Sequence, residues 1–150
     1  MPETKCGFVT GNGLTGLQAL AINGPTLFVD VGFDPQYKLG VTPNLPAKQL
    51  WALVDTGASE SCIDASLAQR LALPVIDRRR VAGVGGKHDV DVCLAQIHIP
   101  TLNFTIYGPF ASVNLLAGGQ RHSALIGRTF LQHFVMVYEG HTGTVTISTP

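Results

Sequence analysis

The sequence predicts a mainly β fold with one or two short helices. Turn-forming residues are frequent, with Gly 17 and Pro 9 in 150 residues, and the apolar residues gather into short runs between those turns. Hydrophobic residues make up 45% of the chain and charged residues 13%, which excludes intrinsic disorder, whose composition is the opposite. A chain of this length forms a single domain and buries roughly 68–70% of the surface its unfolded form exposes, so it folds without staples.

The elements follow in order. Thr26-Leu27-Phe28-Val29-Asp30-Val31 reads as the first clear strand, opened by Gly24-Pro25. A loop rich in Pro and Gly runs from Asp34 to Ala47. Leu50-Trp51-Ala52-Leu53-Val54 is a continuous apolar run, as expected of a strand buried on both faces. It stops at Asp55-Thr56-Gly57-Ala58-Ser59. Ile63, Leu67, Ala68 and Leu71 fall at helical spacing, with Asp64 as N-cap and Pro74 as stop. Arg78 to Val92 reads as a hairpin with Gly83-Val84-Gly85-Gly86 at its tip. Gln96 to Ile99 and Leu102 to Tyr107 read as two strands around Pro100, and Ala111 to Leu116 as another. Thr129 to His133 is a short helical piece. A last hairpin joins Phe134–Tyr138 to Thr144–Ser148 through Glu139-Gly140-His141-Thr142-Gly143.

Ten basic residues balance ten acidic ones, so no electrostatic footprint for nucleic acid or an anionic membrane surface is present. No apolar run approaches the roughly 18–20 residues of a membrane span, and no secretory signal pattern opens the chain. A cytoplasmic location is therefore expected. Cys6, Cys62 and Cys93 are odd in number and widely spaced, which suits free thiols in a reducing compartment better than a disulfide framework or a CxxC metal site. No metal or other cofactor is expected. In His88-Asp89-Val90-Asp91-Val92-Cys93, strand alternation puts Asp89, Asp91 and Cys93 on one face and His88 with the valines on the other, the pattern of a solvated strand face. His98, His122, His133 and His141 are scattered, with no HExxH pattern among them.

The chemically odd feature is an apolar strand that ends in Asp-Thr-Gly. An ionised carboxylate beside a dry core is costly unless it is hydrogen-bonded or shares a proton. Gly57 allows its amide to approach the Asp55 carboxylate, and Thr56 supplies a hydroxyl that can fix the loop. The bland reading of such a triplet is an Asx-type turn at a strand end.

With Ala52-Leu53-Val54-Asp55-Thr56-Gly57-Ala58-Ser59, the glycine-rich Val81-Ala82-Gly83-Val84-Gly85-Gly86-Lys87 and the downstream Ala124-Leu125-Ile126-Gly127-Arg128, the chain resembles the retropepsin-like aspartic proteases, the family of the retroviral proteases and their bacterial and eukaryotic relatives. The ordered motifs fall within residues 24 to 148. The resemblance implies a closed β-barrel acid-protease fold, one lobe per chain, with residues 24–150 as the protease domain. Residues 1–23 would be an extension, either a strand of a dimer sheet or a pro-segment. It implies an aspartic endopeptidase acting on peptide or protein substrates, with Asp55 catalytic and Thr56, Gly57 and Ala58 supporting its loop. Gly83, Val84, Gly85 and Gly86 would form the flap. Leu125, Ile126, Gly127 and Arg128 would cross behind the active-site loop.

Carboxylate-driven hydrolysis needs two carboxyls around one water, and two of them about 3 Å apart hold a single proton between them. The chain has one Asp-Thr-Gly. Its rival, Asp30-Val31-Gly32, lacks the hydroxyl residue and lies too close before Asp55 to head a second lobe. The second carboxyl must come from a second copy, which makes the expected enzyme a homodimer. Ala58 stands where pepsin-like enzymes carry serine, so a milder pH optimum than pepsin's is expected, between weakly acidic and neutral. Thr129, Ser59 and Glu60 depart from the retroviral pattern, and an Arg128–Glu60 ion pair is one way to compensate. Thr144–Ser148 is the candidate interface strand.

The alternatives are weaker. Gly11-Asn12-Gly13-Leu14-Thr15-Gly16 matches a dinucleotide fingerprint with Asp30 as its acidic partner, but a helix over Leu17–Ile22 is about half the length a βαβ crossover needs. Arg78-Arg79-Arg80 reads as a solvated run. The non-enzymatic alternative is a catalytically silent module of the same fold that binds peptides or dimerises.

Overall fold

A computed structural model describes residues 2–7, 16–83 and 86–150. Among these, strands dominate and helices are short, as the turn-rich composition predicts. The chain runs β1 (Glu3–Lys5), α1 (Gly16–Asn23), β2 (Thr26–Gly32), β3 (Ala47–Val54), β4 (Cys62–Asp64), α2 (Ala65–Arg70), β5 (Val75–Gly83) and β6 (Gly86–Ile99). A 3-10 turn at Pro100–Leu102 leads into β7 (Phe104–Val113), β8 (Ala124–Ile126), α3 (Arg128–Leu131), β9 (Val135–Glu139) and β10 (Thr144–Ser148).

Seven strands form one sheet in the order β2-β3-β8-β4-β7-β6-β5. The expected closed barrel is met only in part. The sheet returns on itself through a short β2–β6 ladder, Asp30↔His98 to Gly32↔Gln96, while β1, β10 and β9 form a second sheet packed against the same core. The core is the apolar face of both sheets, with Val29, Val31, Ala52, Ala95, Ile97, Ala124, Ile126, Val145 and Ile147 sealed from solvent. Phe104, Phe130 and Phe134 close one end, with ring centroids 4.6–5.5 Å apart.

Several expectations change. The apolar run in β3 is buried on one face only: Ala52 and Val54 are buried, whereas Trp51 and Leu53 are half-exposed, because Trp51's cross-strand neighbour Phe28 also lies open to solvent. Ile63 belongs to β4, not to the helix. The strands expected at Leu102–Tyr107 and Ala111–Leu116 fuse into β7 across Pro109. Leu94 N, opposite Pro109, donates backwards to Pro74 O at 2.8 Å, so this pair asks no donor of the proline. The candidate interface strand β10 lies between β1 and β9, because the turn before it folds it back onto β9 and β1 takes its other side. Gly11–Thr15 of the dinucleotide-like stretch lie outside the described residues. β1 and β2, which flank α1, sit in different sheets, so among the described residues they form no βαβ unit.

Asp64 caps α2 as expected, and it also holds the loop after β7. Its carboxylate accepts from Ser66 Oγ and Leu67 N, and from Leu115 N and Leu116 N at 3.0 Å each. Burial alone pushes its pKa up, but these bonds outweigh burial and hold it below the ordinary value of 3.8. A carboxyl lowered in the folded state gives stability that is complete above its unfolded value and is lost as pH falls through the folded one. Asp64→Ala is expected to cost about 3 kcal/mol in urea unfolding at pH 7, one cap plus backbone donors left bare, and to flatten the acid limb of stability below pH ~4.

Candidate active site

β3 delivers Asp55 to the edge of the core. Val54 is buried, and Asp55, the next residue, is partly exposed. Two backbone bonds fix this step: Val54 N donates to Pro25 O at 2.8 Å, and Asp55 N donates to Ile126 O at 2.9 Å. The chain then turns, with Ala58 N donating to Asp55 O at 3.2 Å. Gly57 N donates to Asp55 Oδ1 at 2.8 Å. A Cβ on Gly57 would stand 3.1 Å from that same oxygen, so the glycine keeps the approach open. Asp55 Oδ2 accepts nothing from the described residues. The carboxylate borders a cavity of about 490 Å³ lined by Pro25, Val54, Thr56, Met136 and Tyr138.

Leu125, Ile126, Gly127 and Arg128 sit directly behind this loop. β8 runs parallel to β3, with Leu53↔Leu125 and Val54↔Ile126 in register. Gly127 N donates to Ser61 Oγ at 3.0 Å, Arg128 N to Ala58 O at 2.9 Å and Thr129 N to Ser59 O at 3.0 Å. Arg128 Nη1 donates to Thr56 O at 2.8 Å. The Arg128–Glu60 pair therefore does not form. Arg128's side chain spans to the backbone of the loop after Asp55, and Glu60 instead meets Arg79 Nη1 at 2.9 Å.

β5 and β6 form the expected glycine-tipped hairpin, closed by Gly83↔Gly86; Val84 and Gly85 lie outside the described residues. The arginine run is partnered. Arg78 and Arg80 bond their cross-strand neighbours Asp91 and Asp89 at 2.8 and 3.2 Å, while Arg79 points to the other side and ties the hairpin to Glu60. These pairs are exposed and worth about 0–1 kcal/mol each, so they orient the hairpin more than they stabilise it.

Sequence reasoning missed Pro25, Met136 and Tyr138 as neighbours of Asp55. Met136 and Tyr138 share one face of β9 by strand alternation, but nothing local says that this face meets a loop so far away in sequence. Cys62, opposite Leu125 in β4, is also near. Burial, with Asp55 and Asp64 nearby, pushes its thiol up to about 12, so it is not a thiolate nucleophile at neutral pH. Among the described residues, no group of three or more His, Cys, Asp or Glu is placed to hold a metal ion. None of their helices is long and apolar enough to cross a membrane.

The chain belongs to the aspartyl protease family: the family's sequence profile matches residues 41–130, more than half of the chain. That span carries all three motifs, from Asp55 through the glycine hairpin to Arg128. Among solved structures, the EIAV protease complexed with the inhibitor HBY-793 is similar at 21% identity, over 83% of this chain and 92% of that one, with a TM-score of 0.43. No curated protein matches the chain.

Proposed function

We propose that the chain is an aspartic endopeptidase whose active site is completed by a second copy of itself. The supporting observation is the setting of Asp55. A lone Asp-Thr-Gly aspartate, with Oδ1 held by Gly57 and Oδ2 accepting nothing from the described residues, lines a cavity shared with Met136 and Tyr138 of β9. Among the described residues β9 has no strand on its outer side, and it exposes apolar side chains on both faces, Val135 and Val137 on one and Tyr138 on the other, each 44–54% exposed. An unpaired, apolar strand edge invites another chain, and here it borders the carboxylate that lacks a partner. Across a two-fold axis the two Asp55 side chains share one proton and one water. The ionised carboxyl takes a proton from the water as its oxygen attacks the peptide carbonyl, while the protonated one donates to the carbonyl oxygen. Collapse of the adduct breaks the C–N bond, with a proton passing to the amine. Thr56 then bonds across the axis, and Gly83 to Gly86 cover the substrate. Extended peptides with apolar residues flanking the cut are the expected substrates, with Val84 as a candidate contact.

The test is a peptide-library digestion between pH 4 and 7.5 over a range of enzyme concentrations. Specific activity should rise with concentration as monomers pair, and a statine-type inhibitor should stop it. No cleavage anywhere in the library, or undiminished activity in a sample that sediments as monomer, would overturn the reading.

A further inference from the structure

His122 lies just before β8 and is 2% exposed. Its Nε2 sits 2.8 Å from Thr26 Oγ1. That hydroxyl already spends its proton on Gly24 O at 3.1 Å, so it accepts from the ring, and the proton of neutral His122 resides on Nε2. The other nitrogen, Nδ1, is the one buried side-chain polar atom without a partner among the described residues. A bare lone pair there is tolerable. A proton there would be a buried donor and a buried charge with nothing to receive either.

The bond spans the two segments that hold Asp55. Thr26 follows Pro25, whose carbonyl takes Val54 N. His122 precedes Ser123, which donates to Trp51 O at 2.8 Å and accepts from Asp64 N at 2.8 Å. Two residues beyond Ala124 comes Ile126, whose carbonyl takes Asp55 N. The charged group acting on the ring is its neighbour Arg121, whose guanidinium reaches Asn23 Oδ1 at 3.2 Å. β2 and β3 face the ring with Thr26 and Trp51, which do not titrate. Among the described residues, no carboxylate is positioned to welcome an imidazolium.

We infer that His122 is a positioning residue for Asp55: the neutral ring clamps the segment entering β8 to the start of β2, and protonation in acid releases the clamp and sets an acid limit on activity. The inference rests on the protease reading for its effect on catalysis, but not for its effect on the fold. Burial, and then Arg121, push the His122 pKa below its ordinary 6.5. A histidine kept neutral by folding contributes stability that is complete above the unfolded value and falls as pH drops below it.

The experiment compares wild type with His122→Gln, which keeps a donor near Nε2 but does not titrate. Thermal midpoints are followed from pH 7.5 to 4.5, and kcat and KM over the same range. The Gln variant should keep neutral-pH kcat within roughly threefold. Its fall in midpoint between pH 6.5 and 5 should be smaller than wild type's, and its kcat at pH 5, relative to pH 7, should exceed wild type's by at least roughly threefold. In wild-type protein, nitrogen NMR should show the Nε2–H tautomer persisting below pH 6, a readout that stands even if the variant folds poorly. Parallel midpoint curves, or a His122 ring that titrates near 6.5 without loss of stability, would overturn the inference. Absence of any cleavage by wild type, with the midpoint difference intact, would instead fell the protease reading and leave the clamp standing.

Discussion

Asp55→Asn is expected to lower peptide cleavage by about 10³-fold or more while fold and self-association survive. The substitution is isosteric. The amide oxygen still accepts from Gly57 N, and the bonds from Asp55 N to Ile126 O and from Ala58 N to Asp55 O involve backbone alone. What changes is the second oxygen, which becomes an NH₂ unable to take a proton from water. The dimer reading adds a sharper test. Mixed in equal amounts and allowed to exchange, wild-type and Asn chains form one quarter wild-type pairs, and hybrid pairs hold a single carboxyl. Activity at fixed total protein should fall to about one quarter of the wild-type value. Subunits acting alone would retain about one half. A silent module would show no cleavage to lose, and the variant would then differ from wild type in nothing.

Local signals carried much of this site. A capping aspartate before apolar residues at helical spacing located α2, because an N-cap acts within four residues of itself. The β9–β10 hairpin was legible because Gly143, at φ +77°, supplies the left-handed turn that its sequence advertises. Asp55-Thr56-Gly57 stood out because carboxylates seldom end apolar strands. The missed features are non-local. β4 has three residues and no period of its own; it exists because β7 and β8 pair with it on either side. β7 reads as two strands in the sequence because the tolerance of Pro109 in its middle depends on where Leu94 sends its amide. Glu60's choice of Arg79 over Arg128 depends on how the hairpin lies against the Asp55 loop, which neither arginine's neighbours in sequence reveal. His122 looked like one scattered histidine among five, since its significance comes from a hydroxyl 96 positions away.

Gly127→Ala should cost about 2–3 kcal/mol and lower cleavage by about 10²-fold, although it adds a single methyl group. Conformation is not the obstacle: Gly127 has φ −98° and ψ −171°, extended values open to any residue. The obstacle is space. A Cβ there would lie 2.6 Å from Glu60 O, 2.7 Å from Glu60 C and 2.9 Å from Ala58 O. All three are backbone atoms, so no rotamer change relieves the overlap, and the chain at residues 58–60 must shift. Arg128 N and Thr129 N bond that same stretch through Ala58 O and Ser59 O, so these bonds lengthen as it moves. Displacement of the loop that turns away from Asp55 misplaces a carboxylate that, in the proposed dimer, meets its twin within hydrogen-bond reach of one water. Gly40→Ala is the matched control. Gly40 has a left-handed φ of +85° but nothing within 4 Å of its would-be Cβ, so it should cost about 1 kcal/mol and leave cleavage unchanged. Urea unfolding and peptide cleavage of both variants would decide the matter. Equal, mild effects at the two glycines would mean that β8 does not brace the Asp55 loop.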